Sequence, residues 1–243
     1  MKVGTCGFQR ARRRHYEALD AVEVQQTFYD PPPLETLEKW RSEAPSSFEF
    51  TVKAWMLVTH EYNRRLWARL KRKVEGDPSR FGSFKLTREV LWAWEVTLEA
   101  ARALRARVIV VQTPASFKAD EGNARRIVGF FGEAPRDSFL IAWEPRGDWW
   151  ERKDLLSQTA SKADLLIAGD VLRGRVPPVD QEILYARLHG LGGKEVNYKY
   201  KYTDEDLERL KDLVARWREA YVMFNNVYAF EDAVRFKEAL RKR

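Results

Sequence analysis

Eight short β-rich runs alternate with amphipathic helical stretches across 243 residues, and the polar residues of the runs gather at their C-terminal ends. These observations predict an α/β fold, a single (β/α)8 (TIM) barrel spanning residues 1–243. Strands alternating with helices argue for βαβ units and a parallel sheet, and eight such units in a chain of about 250 residues is the barrel's usual size. An open doubly wound sheet is the alternative. It usually opens on a G-x-G-x-x-G turn after its first strand, and Gly4-Thr-Cys-Gly7 is not that motif.

The runs come in order at residues 2–6 (KVGTC), 21–28 (AVEVQQTF), 48–54 (FEFTVKA), 107–113 (RVIVVQT), 138–144 (SFLIAWE), 164–170 (DLLIAGD), 184–190 (LYARLHG) and 220–225 (AYVMFN). Several are nearly continuous apolar stretches, as parallel strands covered on both faces should be. The helical patterns fall between them. Residues 34–44 follow Pro31, Pro32 and Pro33, and Pro favours a helix start. Residues 87–105, 119–132, 153–162, 204–218 and 230–241 repeat apolar positions at the helical period. Thr203, with Asp206 three residues on, predicts an N-cap with an acidic first turn.

Composition narrows the class. At 44% hydrophobic and 33% charged, the chain is not disordered. No window approaches the roughly 18 apolar residues of a membrane helix, and the N-terminus has no apolar run of signal-peptide length. A soluble cytoplasmic protein is expected. The one cysteine, Cys6, excludes an intrachain disulfide and a zinc site of several thiolates. Few Asn and Gln beside many Arg, Lys and Glu resemble a heat-adapted composition. The net charge of +7 is concentrated. Residues 55–88 carry six net positive charges, and Arg10, Arg12, Arg13 and Arg14 add four. In a barrel the βα loops lie on the catalytic face. Three of them are basic: residues 7–15, residues 191–202, and residues 55–86, read as a long basic insertion after strand three. Arg12, Arg13, Arg64, Arg65, Arg69 and Lys71 are therefore candidates for holding a polyanion.

Alternate side chains of a barrel strand point inward. Strand two offers Glu23, Gln25 and Thr27. Lys53, Gln112, Glu144 with Arg146, Asp170, Arg187 with His189, and Asn225 with Asn226 follow on the later strands. Burying such a ring of charge is costly unless it is paired, so stability alone does not justify it. Metal binding is weakly signalled. The three histidines are His15, His60 and His189, and H-E-x-x-H is absent. A divalent ion on Glu23, Glu144, Asp170 and His189 is the one arrangement to consider, although Lys53, Arg146 and Arg187 already supply cations. No cofactor is expected. Neither a G-x-S-x-G elbow nor a P-loop occurs.

Seven segments, in order, resemble the YecE-like family, domain-of-unknown-function family seventy-two. They are Gly4-Thr-Cys-Gly7, residues 22–29 with Pro31 and Thr36…Trp40, residues 48–54 with Thr59-His60, residues 111–114 with Phe117, residues 143–146, Arg187-Leu-His-Gly190 and Phe224-Asn-Asn226. The resemblance implies a TIM barrel related in shape to the xylose-isomerase and endonuclease-IV group, with no established activity. It implies a site of Glu23, Tyr29, Lys53, His60, Gln112, Glu144, Arg146, Arg187, His189, Asn225 and Asn226. Cys6 stands where the family usually has Ser, and Gln25-Gln26 replaces Asn-Ser. The trinuclear metal set of the endonuclease group is not evident.

The leading expectation is an acid–base site, of hydrolase or lyase type, acting on an anionic substrate that is phosphorylated or a nucleic acid. Glu23 and Glu144 are the general base and acid; Lys53, Arg146 and Arg187 stabilise negative charge; His189 completes the catalytic set. Trp55, Tyr62, Trp67, Phe81 and Phe84 are candidate stacking groups beside the basic residues. One alternative is carbonyl chemistry through a Schiff base on Lys53. The other is a non-catalytic module that binds nucleic acid or protein.

Overall fold

A computed structural model of the protein describes residues 1–193 and 195–241; Lys194, within the basic stretch 191–202, lies outside them. Eight strands follow one another in chain order and close into a parallel barrel: β1 (Lys2–Cys6), β2 (Ala21–Val24), β3 (Glu49–Lys53), β4 (Val108–Gln112), β5 (Leu140–Glu144), β6 (Leu166–Gly169), β7 (Ile183–Leu188) and β8 (Glu219–Phe224). Among the described residues ten α-helices lie between and after them: α1 (Arg12–Ala18), α2 (Gln26–Tyr29), α3 (Leu34–Glu43), α4 (Met56–Thr59), α5 (Arg64–Trp67), α6 (Arg88–Ala103), α7 (Glu121–Glu133), α8 (Lys153–Lys162), α9 (Asp204–Val214) and α10 (Ala229–Arg241). Among the described residues no helix is long and apolar enough to cross a membrane.

The chain packs as two compact units. The first comprises Met1–Val24, Glu43–Phe50 and Ile167–Arg243. Here β1 lies between β2 and β8, with Gly4 opposite both Ala21 and Met223. Gly4 is dictated by that closeness, since a Cβ would stand 2.3 Å from the Ala21 carbonyl oxygen. Helix α10 buries Ala229, Ala233 and Phe236. Helix α9 begins with the expected capping box of Thr203 and Asp206. Tyr185 and Tyr221 stack at 5.5 Å, and the Tyr221 hydroxyl donates to Glu49.

Residues 7–15 are only partly a loop, because α1 starts at Arg12. Its buried face carries His15, edge-on to Phe8 at 5.1 Å and 4.9 Å from Phe230, with no hydrogen-bond partner for either ring nitrogen. Burial holds the His15 pKa below its usual 6.5. The folded state thus binds fewer protons here than the unfolded chain. The associated stability is complete above about pH 6.5 and is lost as the pH falls below it. Urea unfolding at pH 7.5 and pH 5 should show that difference shrinking in His15→Leu; an unchanged pH dependence would refute it.

The second unit comprises Gln25–Ser42 and Thr51–Leu166. Strands β3, β4 and β5 pair with Lys53 opposite Val110 and Gln112 opposite Glu144. Helix α6, capped by Thr87, buries Val90, Ala93, Trp94, Thr97, Leu98 and Ala101 at the helical period. Trp94 meets Phe130 and Phe131 of α7 edge-on, and Phe84 packs on the same pair.

Several expected boundaries change, the seventh strand among them, which ends at Leu188 rather than 190. The second strand ends at Val24 rather than 28, because Gln25 turns to helical dihedrals and α2 begins. Thr27 therefore does not face along a strand; its hydroxyl donates to the Lys53 carbonyl. The sixth strand ends at Gly169, so Asp170 stands just past it. The eighth ends at Phe224, although the Asn225 N–H still bonds the Leu188 carbonyl at 2.8 Å. Residues 54–87, between β3 and α6, hold α4, α5 and one 3-10 turn. Their aromatics are mostly core: Trp55, Phe81 and Phe84 are buried, and only Tyr62 is well exposed.

Candidate functional site

In the second unit, three consecutive strands end on polar residues: Lys53 on β3, Gln112 on β4 and Glu144 on β5. Their register sets the geometry. Lys53 sits level with Val110, two residues before Gln112, and its flexible stem carries the ammonium up to Gln112 Oε1 at 2.8 Å. The same ammonium lies 4.0 Å over the Phe28 ring, a favourable cation–π geometry. Glu144 and Arg146 are two apart and extended, which puts them on one side; Arg146 Nη2 meets Glu144 Oε1 at 2.9 Å, with both side chains buried. The turn after β5 fixes Arg146. Trp150 Nε1 donates to the Pro145 carbonyl, and Gly147 adopts φ 69° where a Cβ would crowd Ala115.

His60 follows α4, its Nδ1 2.8 Å from the Thr59 hydroxyl and its ring edge-on to Phe28 at 5.0 Å. Burial, reinforced by the Lys53 charge, lowers its pKa to about 3. It is a neutral imidazole at physiological pH. Tyr29 closes α2, its ring covered by the Arg69 guanidinium at 3.7 Å.

In the first unit Glu23 and Arg187 form a fully buried fork. Arg187 Nε donates to Oε2 at 2.9 Å and Nη2 to Oε1 at 2.7 Å, and the Tyr185 hydroxyl adds a bond to Oε2 at 3.0 Å. Such a bidentate pair is geometrically specific. His189 is buried, its Nδ1 3.0 Å from Asn225 Nδ2. An amide nitrogen only donates, so the neutral ring carries its proton on Nε2. The His189 backbone N–H donates to Asp170 Oδ2 at 2.8 Å. Asn226 turns the other way, donating to Asp232 Oδ2 and the Tyr200 carbonyl, and so braces the start of α10.

The structure thus joins the expected residues in pairs: Lys53 with Gln112, Glu144 with Arg146, Glu23 with Arg187, His189 with Asn225, and Tyr29 with Arg69. Among the described residues no three His, Cys, Asp or Glu side chains gather as a metal-binding group. Of the polyanion candidates, Arg12 and Arg13 pair with Glu43 and Glu17 at 2.9 and 2.8 Å. Arg64, Arg65 and Lys71 are exposed.

Two partners were absent from the sequence reading. Tyr185 lies two residues before Arg187 on the same strand face, so the strand period would have found it. Arg173 lies beyond β6 and gives no such signal. Its guanidinium bonds the Gly190 carbonyl at 2.7 Å and also the Gly192 carbonyl, holding the turn after β7.

A closed parallel barrel with paired, buried charges at the C-terminal ends of its strands defines a (β/α)8 barrel protein. The chain belongs to the family described as protein of unknown function DUF72, whose model matches residues 7–243. It is 26% identical over 236 residues to the UPF0759 protein YunF of Bacillus subtilis, covering 84% of this chain and 76% of that one. Among solved structures, a DUF72 family protein from Enterococcus faecalis V583 superposes with a TM-score of 0.71 at 18% identity, covering 100% of this chain and 98% of that one. Another, from Thermotoga maritima MSB8, gives 0.68 at 23% identity, with 99% of each chain covered. These structures share the fold.

Proposed function

We propose that the protein is an enzyme whose acid–base centre, carried on the ends of β3, β4 and β5, acts on a phosphorylated or other phosphate-bearing substrate. The observation that supports this most is the run of Lys53, Gln112 and Glu144 on three consecutive strand ends, with Arg146 on Glu144 at 2.9 Å. Buried charge of this kind costs stability unless its pairing is put to use. Lys53 and Arg146 would hold the anion and stabilise charge that develops on it. Glu144 would move the proton. Gln112, whose oxygen accepts from the Lys53 ammonium at 2.8 Å, would hold that charge in place for the anion. Neutral His60 would donate or accept a hydrogen bond without adding charge. Glu23 takes a different part from the general base expected of it: with both oxygens committed to Arg187 and Tyr185, it is the fixed anion that orients Arg187.

Thermal unfolding in the presence of inorganic phosphate, pyrophosphate and a sugar phosphate tests this reading. A ligand at ten times its Kd stabilises by about 1.4 kcal/mol, roughly 3–5 °C for a chain of this size. The shift should vanish in Lys53→Met and Arg146→Met and persist in Glu144→Gln. No shift with any of the three compounds at millimolar concentration would defeat the proposal.

A further inference from the structure

Both basic stretches of the sequence are partly paired with carboxylates. In the first unit Arg10, Arg12 and Arg13 each face a carboxylate, from Glu231, Glu43 and Glu17. In the second unit, residues 61–80 form a loop without one buried residue. Its neck is tight: the Gly82 N–H donates to the Leu57 carbonyl at 2.8 Å, and the Phe84 N–H to the Val58 carbonyl at 3.1 Å. Two of its arginines are engaged by residues 29–31, Arg69 while itself exposed. Arg69 covers Tyr29, and Arg72 bonds the Pro31 carbonyl at 2.6 Å and Asp30 at 3.3 Å. The loop's other ion pairs use Lys73 with Glu75, Arg80 with Glu89, and Glu61 with Lys85. Among the described residues, Arg64, Arg65 and Lys71 are exposed and have no carboxylate within ion-pair distance. Beside them Tyr62 is 51% exposed. It is braced edge-on by Trp67 at 5.0 Å, which is in turn braced by Phe81 at 5.3 Å.

We infer that this loop binds single-stranded nucleic acid. Three cations without counter-charges form a local positive field that attracts phosphates. A field alone would suit any polyanion. The braced, exposed ring of Tyr62 adds a face on which an unpaired base can stack, and such stacking is sequence-tolerant. A duplex hides its base faces and a sulfated polysaccharide has none, so the combination selects the single strand. This deepens the proposal above by naming a polymeric substrate, and rests on it only for the phosphate; the loop residues stand apart from Lys53, Gln112, Glu144 and Arg146 in the sequence and make no contact with them among those described.

Fluorescence anisotropy with a labelled oligo-dT, the same length of duplex, and heparin as competitor tests the inference. Three phosphate contacts predict a log–log salt slope near about −2 for a single strand. Arg64→Ala/Arg65→Ala/Lys71→Ala should flatten that slope and weaken binding at least about tenfold. Tyr62→Ala should weaken oligo-dT by about 5- to 100-fold while leaving duplex and heparin binding unchanged. The triple variant should keep the thermal shift with inorganic phosphate, so a failed acid–base centre and a failed loop give different results. No binding of oligo-dT at low salt, equal affinity for duplex, or an unaffected Tyr62→Ala would each overturn it.

Discussion

Arg187→Met is expected to destabilise the protein by about 3–5 kcal/mol, the usual consequence of stranding one partner of a buried ion pair. Neither Arg187 nor Glu23 has any solvent-exposed surface. Removing the guanidinium takes two charge-assisted bonds from a carboxylate that water does not reach. Glu23→Gln should also destabilise, because a neutral amide cannot match a guanidinium fork. The informative comparison is the double substitution Glu23→Leu/Arg187→Met. Replacing both ions by apolar groups removes the stranded charge, so it should recover much of the loss and be strongly non-additive. Urea unfolding followed by fluorescence of the nine tryptophans measures all four proteins. A loss below about 1 kcal/mol in Arg187→Met would place the pair in the energetic class of surface bridges.

Gly82→Ala carries the second large effect. Gly82 has φ 78°, and an added Cβ would stand 2.2 Å from the His60 carbonyl oxygen and 2.5 Å from the Glu61 nitrogen. The left-handed conformation alone costs a non-glycine residue about 1–3 kcal/mol. The clash is with backbone, which has no rotamer to change, so the neck of the 61–80 loop must part. The expected readout is local. Trypsin should cut at Arg64, Arg65 or Lys71 much faster than in the wild type, while the cooperative unfolding of the barrel shifts less. His60 adjoins the neck, so its imidazole should titrate nearer 6.5 in Gly82→Ala than the value of about 3 it has in the intact protein. Proteolysis and His60 titration identical to wild type would show that the neck tolerates a methyl group.

The barrel was legible because strand and helix periods alternate without interruption, and the lysine helix at 153–162 matches α8 at both ends. The overlong second strand was not. Gln25, Thr27 and Phe28 have strand-like neighbours, but the backbone turns into α2 and Thr27 spends its hydroxyl on the Lys53 carbonyl. That is a tertiary preference no local pattern carries. Lys53, Gln112, Glu144 and Arg187 were legible as polar residues ending apolar runs. Their partners were only half legible. The i, i+2 spacing relates Glu144 to Arg146, whereas Glu23 and Arg187 meet across 164 residues. The charge of the two basic stretches was readable, but the carboxylates that pair with Arg10 and Arg12 lie 221 and 31 residues away, at Glu231 and Glu43, and sequence separation hides them.

The pairing of β1 with β8 bears on how the chain is made. Strand β1 gains one of its two neighbours only when β8 has been made, and α10, which packs on β1, follows β8. Until then one edge of β1 presents unpaired backbone groups, a template for misassociation. Lys2 at the start of that strand pairs with Glu49 at 2.8 Å, and a charge on an open strand edge disfavours misassociation. Closure of the first strand is therefore a late event of biosynthesis, set by chain order rather than by the strength of any single contact.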